Sequence, residues 1–133
     1  MTWWVIIGLF AAAIAIWLAR WQFPTQQRAL WTTGLWVAAW IYVGFAIVGQ
    51  AWTALPLEIL GLLVYGFFAW YSRKNGVVWL AVGWGLHVLW DVVVHDAGGS
   101  HFVPFWYPGV CLGFDIAIMS YLLFMEYRAR LIN

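Results

Sequence analysis

The chain has 133 residues, 66% of them hydrophobic and 8% charged, with a formal net charge of +1. Soluble domains carry roughly 25% charged residues, and a chain this short cannot hide so much apolar surface in one globule, so the solvent for most of it is lipid. A nucleic-acid partner is excluded because no basic stripe exists to neutralise phosphates; the single cysteine, Cys111, excludes an intrachain disulfide and any Cys-rich metal motif.

These features predict one all-α domain over residues 1–133, a polytopic integral membrane bundle of about five transmembrane helices at about 20 residues per crossing. The first apolar run extends from Trp3 to Ala19. Ala11-Ala12-Ala13 resembles a cleavage site, but a signal peptide carries its positive charge before the apolar core and here Arg20 follows it, so the run is a retained helix. Arg20 to Ala29 is a polar connection. The second span covers Leu30 to Val48, and Gly49 to Thr53 forms a short turn. Pro56 fits the first turn of the third helix, where its missing N–H costs nothing; that helix ends near Tyr71 and is the shortest. Ser72 to Gly76 is a tight basic turn. The fourth span runs from Val77 to about His95, Asp96 to Pro104 is the longest loop, and the fifth span starts near Phe105 and stops before Tyr127.

The basic residues test this count. Arg20 and Arg28 follow the first span, Arg73 and Lys74 the third, and Arg128 and Arg130 the fifth. Five crossings put all six on one side, and four or six crossings scatter them. Positive residues favour the cytoplasm, which predicts the N-terminus outside and the C-terminus cytoplasmic, in a bacterial inner membrane. The 13 tryptophans suit interface belts: Trp3, Trp4, Trp52, Trp106 and Tyr107 on the outer side, and Trp21, Trp31, Trp70, Tyr71 and Tyr127 on the inner.

The outer half then holds Glu58, His87, Asp91, His95, His101 and Asp115. His87, Asp91 and His95 are spaced i, i+4, i+8 and form one stripe on a helix, with adjacent Cβ atoms about 5–6 Å apart. At a rise of about 1.5 Å per residue, Asp91 lies about 6 Å and His87 about 12 Å deeper than His95. Tyr107, Cys111 and Asp115 repeat the spacing on the fifth span, and Glu58 sits in the first turns of the third. A carboxylate at the centre of a bilayer costs at least ~2.5–3.5 kcal/mol, and every Lys and Arg is at the opposite face. Protons, histidines, water or a metal ion are the remaining partners for Asp91 and Asp115. Plainer roles exist for several residues: Glu58 as an interfacial charge favoured by the helix dipole, His101 as a solvated loop residue, and Cys111 as small packing.

Imidazole and carboxylate ligands suit zinc, iron or manganese, and His87, Asp91, His95 and Asp115 are the candidate ligands of a divalent metal. His87 and His95, two turns apart, are poorly placed to share one ion at about 2.1 Å each, so one i, i+4 pair plus Asp115 or Glu58 is the better chelate. Acid–base work requires only a carboxylate and an imidazole in unlike environments. His87, Asp91, Asp115 and Glu58 are the catalytic candidates. No phosphate loop, Ser-His-Asp order or nucleophile elbow is present.

Trp84-Gly-Leu-His87-x-x-Trp90-Asp91-Val-Val-x-His95, followed by Val103-Pro104-Phe105 and Cys111-x-x-x-Asp115, resembles a bacterial family of small integral membrane proteins, the domain of unknown function six-zero-one-zero. The specific part runs from Gly83 to Asp115, with weaker similarity through Pro24-Thr-x-x-Arg28 and Glu58. The resemblance implies Glu58, His87, Asp91, His95, Cys111 and Asp115 as motif positions. Val94-His95 stands where the family has a His-His pair, Phe114 where it has a second Cys, and Ile116 where it has a Pro, which weakens any account needing two cysteines or three histidines. The family supplies no activity.

Two function classes follow. One is an enzyme with an outward-facing polar pocket that acts on an apolar, lipid- or isoprenoid-like substrate. Asp91 and His87 are then the central acid–base pair, Asp115 or Glu58 the second carboxylate, and His95 the mouth. The other is a non-enzymatic accessory or ligand-binding subunit, for a pigment or quinone, within a homo-oligomer or larger membrane complex. Proton relay or transport is the weakest reading, because the inner half offers no ionisable residue to complete a path.

Overall fold

The computed structural model describes residues 1–132, which are helical almost throughout. Five helices are long and apolar enough to cross a membrane: α1 (Thr2–Ala19), α2 (Pro24–Val48), α3 (Leu55–Asn75), α4 (Val77–Trp90) continued by a π-helical turn (Asp91–Asp96), and α5 (Tyr107–Ile132). Trp3, Phe10, Trp17, Val37, Trp40, Leu63 and Phe124 are exposed. Large apolar side chains directed outward on every long helix are the mark of a multi-pass membrane protein, whose outer surface meets lipid.

The helix ends differ from the sequence expectation at three places, one of them the end of α5, which runs on past Tyr127 through Arg128 and Arg130 to Ile132. α2 begins at Pro24, so the connection from α1 is Arg20 to Phe23 rather than Arg20 to Ala29. Proline suits the first turn of a helix, and the Gln26 side chain accepts from the Phe23 N–H at 3.2 Å, which starts the helix before the apolar run does. α3 extends past Tyr71 through Ser72 to Asn75 and reaches 21 residues, three more than α1, so it is not the shortest. Gly76 alone turns the chain into α4, at φ 105°, a conformation open to glycine and strained for other residues.

α5 packs on α1 and α4, and α3 on α2 and α4. α1 and α5 run parallel in close contact. A Cβ added to Gly8 would fall 2.0 Å from the Val110 carbonyl oxygen, and one added to Gly113 would fall 2.1 Å from that of Val5. Only Gly8, Ala12 and Ala19 of α1 are buried, so the helix docks through small residues that let two backbones approach. Leu35, Leu62, Leu80, Trp84, Ile118 and Leu122 form the apolar core of the remaining helices. Trp31, expected in the inner belt, is instead 3% exposed and packs edge-on against Tyr121. Tyr107 likewise turns inward, against Tyr42 and Phe45.

Candidate functional site

The buried ionisable side chains gather where α2, α3, α4 and α5 converge around the π turn. His87, Asp91 and Asp115 are 0–1% exposed, and one ligand-type atom from each lies within 4.8 Å of the others. His87 Nδ1 is 2.7 Å from Asp115 Oδ2 and 3.6 Å from Asp91 Oδ2. The first distance is that of a charge-assisted hydrogen bond, and the second is too long for one. Asp115 on α5 therefore orients the His87 ring. Both Asp91 Oδ2 and His87 Nε2 are buried without a hydrogen-bond partner among the described residues.

Asp91 has another partner that sequence reasoning missed. Tyr42, on α2, donates its hydroxyl to Asp91 Oδ1 at 2.5 Å. The Tyr42 ring also stacks on the His95 imidazole, with centroids 3.9 Å apart and planes 7° apart. A tyrosine in mid-span was itself a signal, because a buried phenol needs a partner. It was hidden by the other aromatic residues of the same apolar runs. Tyr65 of α3 was missed too, and its ring lies 4.9 Å from that of His87.

His95 leaves the stripe. An α-helix would place it on the face of His87 and Asp91, but residues 91–96 form a π turn whose i→i+5 bonding changes the angular spacing of side chains. The Ala97 N–H, for instance, donates to Val92 O at 2.8 Å. His95 consequently meets α3, with its Nε2 3.5 Å from Glu58 Oε2. Glu58 is not an exposed interfacial charge; it is 2% exposed and accepts from Trp90 Nε1–H at 3.3 Å. His95 Nδ1 contacts Ser100 Oγ at 3.0 Å, and Ser100 Oγ donates to Val94 O at 3.1 Å. Five of the six candidate residues thus form two groups, His87–Asp91–Asp115 and Glu58–His95, joined by Tyr42. His101 is exposed in the loop, and Cys111 is a buried free thiol.

Two openings approach these groups. A cavity of about 520 Å³ among the loop residues is lined by His95, Asp96, Ser100, His101 and Phe105. An apolar cleft of about 300 Å³ lies between α2 and α5, walled by Val37, Ile41, Val110 and Phe114, backed by Trp84, and reaching Asp115. Val37 is 52% exposed, so the cleft opens on the lipid-facing side. Arg20, Arg73, Lys74, Arg128 and Arg130 are exposed, and none pairs with the buried carboxylates.

Known protein families, curated proteins and solved structures were compared with the chain, and none matches.

Proposed function

We propose that the protein is a small membrane enzyme that performs acid–base chemistry on a lipid- or isoprenoid-like molecule entering sideways from the bilayer. The observation that carries this reading is the buried Asp115–His87 pair, of which Asp115 lines the lipid-facing cleft and His87 lies directly behind it. The 2.7 Å contact holds one proton between carboxylate and imidazole, and with that proton on Nδ1 the free Nε2 is a base. A carboxylate that fixes the tautomer and orientation of an imidazole is a recurring general-base arrangement. Asp91, held by Tyr42, is the second carboxylate beside His87, in a different environment. The α2–α5 cleft reaches the low end of usual ligand-pocket volumes and has their apolar character. In this reading the N-terminus and the loop at 97–106 face outward, the basic residues face the cytoplasm, and the membrane is a bacterial inner membrane. Membership of the domain of unknown function six-zero-one-zero belongs to the same proposal, and its motif positions are the residues of the two groups together with Cys111.

A second reading is supported by the three converging donors. A divalent ion bound by His87, Asp91 and Asp115 neutralises both carboxylates where no arginine or lysine reaches them. Ligands at about 2.1 Å around a tetrahedral ion are about 3.4 Å apart, so the His87–Asp115 contact has to open from 2.7 Å to admit one.

The test is mass spectrometry of lipids extracted with gently purified protein, and of lipid extracts incubated with it, together with elemental analysis. Acid–base action predicts a co-purifying or converted lipid that Asp115→Asn and His87→Ala lose, with no stoichiometric metal at the inner group. A metal at one ion per chain that Asp91→Ala releases selects the second reading. If lipid binding and conversion are the same in His87→Ala as in the parent protein, the enzyme reading is wrong.

A further inference from the structure

The contact between Glu58 and His95 differs in kind from that between Asp115 and His87. Ser100 Oγ has one proton, which goes to Val94 O at 3.1 Å. It must therefore accept from His95 at 3.0 Å, which puts the imidazole proton on Nδ1. The neutral ring then presents a bare Nε2 lone pair to Glu58 Oε2 at 3.5 Å. Two acceptors face one another in a place where the side chains are 0% and 2% exposed. Glu58 Oε1 and His95 Nε2 have no hydrogen-bond partner among the described residues.

A ring N–H that donates to a carboxylate closes to about 2.7–2.9 Å, as His87 Nδ1 and Asp115 Oδ2 do at 2.7 Å. The wider gap matches the roughly 3.4 Å that separates two ligands of one tetrahedral ion bound at about 2.1 Å. The surroundings agree. Metal-binding histidines donate their other ring N–H to a fixed acceptor, and metal-binding carboxylates are themselves hydrogen-bonded. His95 has Ser100, anchored to the backbone of Val94, and Glu58 has Trp90 Nε1–H at 3.3 Å. The stacked Tyr42 ring holds the imidazole plane.

We propose that Glu58 and His95 form a metal site separate from the His87 group, taking a divalent transition ion such as zinc and leaving its other positions to water or to a polar group of a bound molecule. His95 belongs to the wall of the loop cavity of about 520 Å³, with its imidazole covered, so the pair lies just behind that cavity, and the positions that protein ligands leave free make the site one for binding or polarising a ligand rather than for bracing the fold. The site is independent of the acid–base reading of His87.

Zinc binding to purified protein in detergent, followed by equilibrium dialysis and elemental analysis, tests this. The expected result is one zinc per chain, weakened at least 100-fold by Glu58→Gln and by His95→Gln, weakened about 10-fold by Ser100→Ala, and retained by Asp115→Asn. Ser100→Ala removes only a hydroxyl, so it decides the matter should the two buried substitutions fail to fold. No zinc on the parent protein, undiminished zinc in His95→Gln, undiminished zinc in Ser100→Ala where the buried variants do not fold, or loss in Asp115→Asn with retention in His95→Gln overturns the proposal. The last outcome assigns the ion to the inner group and so selects the metal reading of that group, whereas the others leave the acid–base reading of His87 untouched.

Discussion

Tyr42 donates to Asp91 at 2.5 Å while its ring lies flat on His95, so one side chain from α2 holds both groups of ionisable residues. Tyr42→Phe keeps the ring and deletes the hydroxyl. A buried acceptor left unsatisfied costs about 1–3 kcal/mol, and chemical unfolding in detergent should register a loss of that size. Equal stability of the two proteins shows that Asp91 does not depend on the phenol.

Breaking the Asp115–His87 pair should cost more. Removing one partner of a buried charge pair typically costs about 3–5 kcal/mol, because the other is left uncompensated. Asp115→Ala and His87→Ala are each expected to destabilise on that scale. The double variant should be well short of the sum, as residues in one network are not additive. A double-mutant cycle with no coupling contradicts the 2.7 Å contact.

The α1–α5 contact gives a prediction about packing alone. Gly113→Leu forces a side chain against the Val5 carbonyl, where even a Cβ has no room. Overpacking of this sort costs about 1–3 kcal/mol or more. The expected readout is release of α1, seen as faster proteolysis after Ala19, with the Trp90–Glu58 and Tyr42–Asp91 contacts kept. Unchanged proteolysis means that α1 does not rest on α5 through these backbones.

The charge-derived orientation can be checked with single cysteines in a Cys111→Ser background. Thr53→Cys should react with an impermeant thiol reagent from outside intact cells, and Asn75→Cys only after permeabilisation. The reverse pattern inverts the molecule.

The helix count was legible because lipid imposes a length and an apolarity on each crossing. The start of α2 was harder to see, since Gln26, Gln27 and Arg28 look like a connection until Pro24 and the Gln26 back-bond are seen to begin a helix. The grouping of His87 with Asp91 and Asp115 was within reach, because i, i+4 spacing and similar depth fix most of it. The departure of His95 was not. Asp91-Val-Val-Val-His95-Asp96 has no glycine or proline to announce a π turn, and the direction of His95 depends on that turn. Nor does pattern show that Trp90 and Ser100 would hold Glu58 and His95, because those contacts depend on how α3 lies against α4 and how the loop folds back.

Gly8 and Val110 touch although about a hundred positions separate them along the chain. At a synthesis rate of about 5–20 residues per second, α1 emerges from the ribosome about 5–20 s before the surface it rests on. During that interval it has no partner on α5 and must be tolerated by the bilayer by itself. Its make-up permits this: Ile6, Ile7, Phe10, Ile14 and Trp17 are all open to the outside even in the finished bundle. Final closure of the protein is therefore a late, long-distance docking event, and a translational pause before α5 should prolong the lifetime of a species with α1 detached.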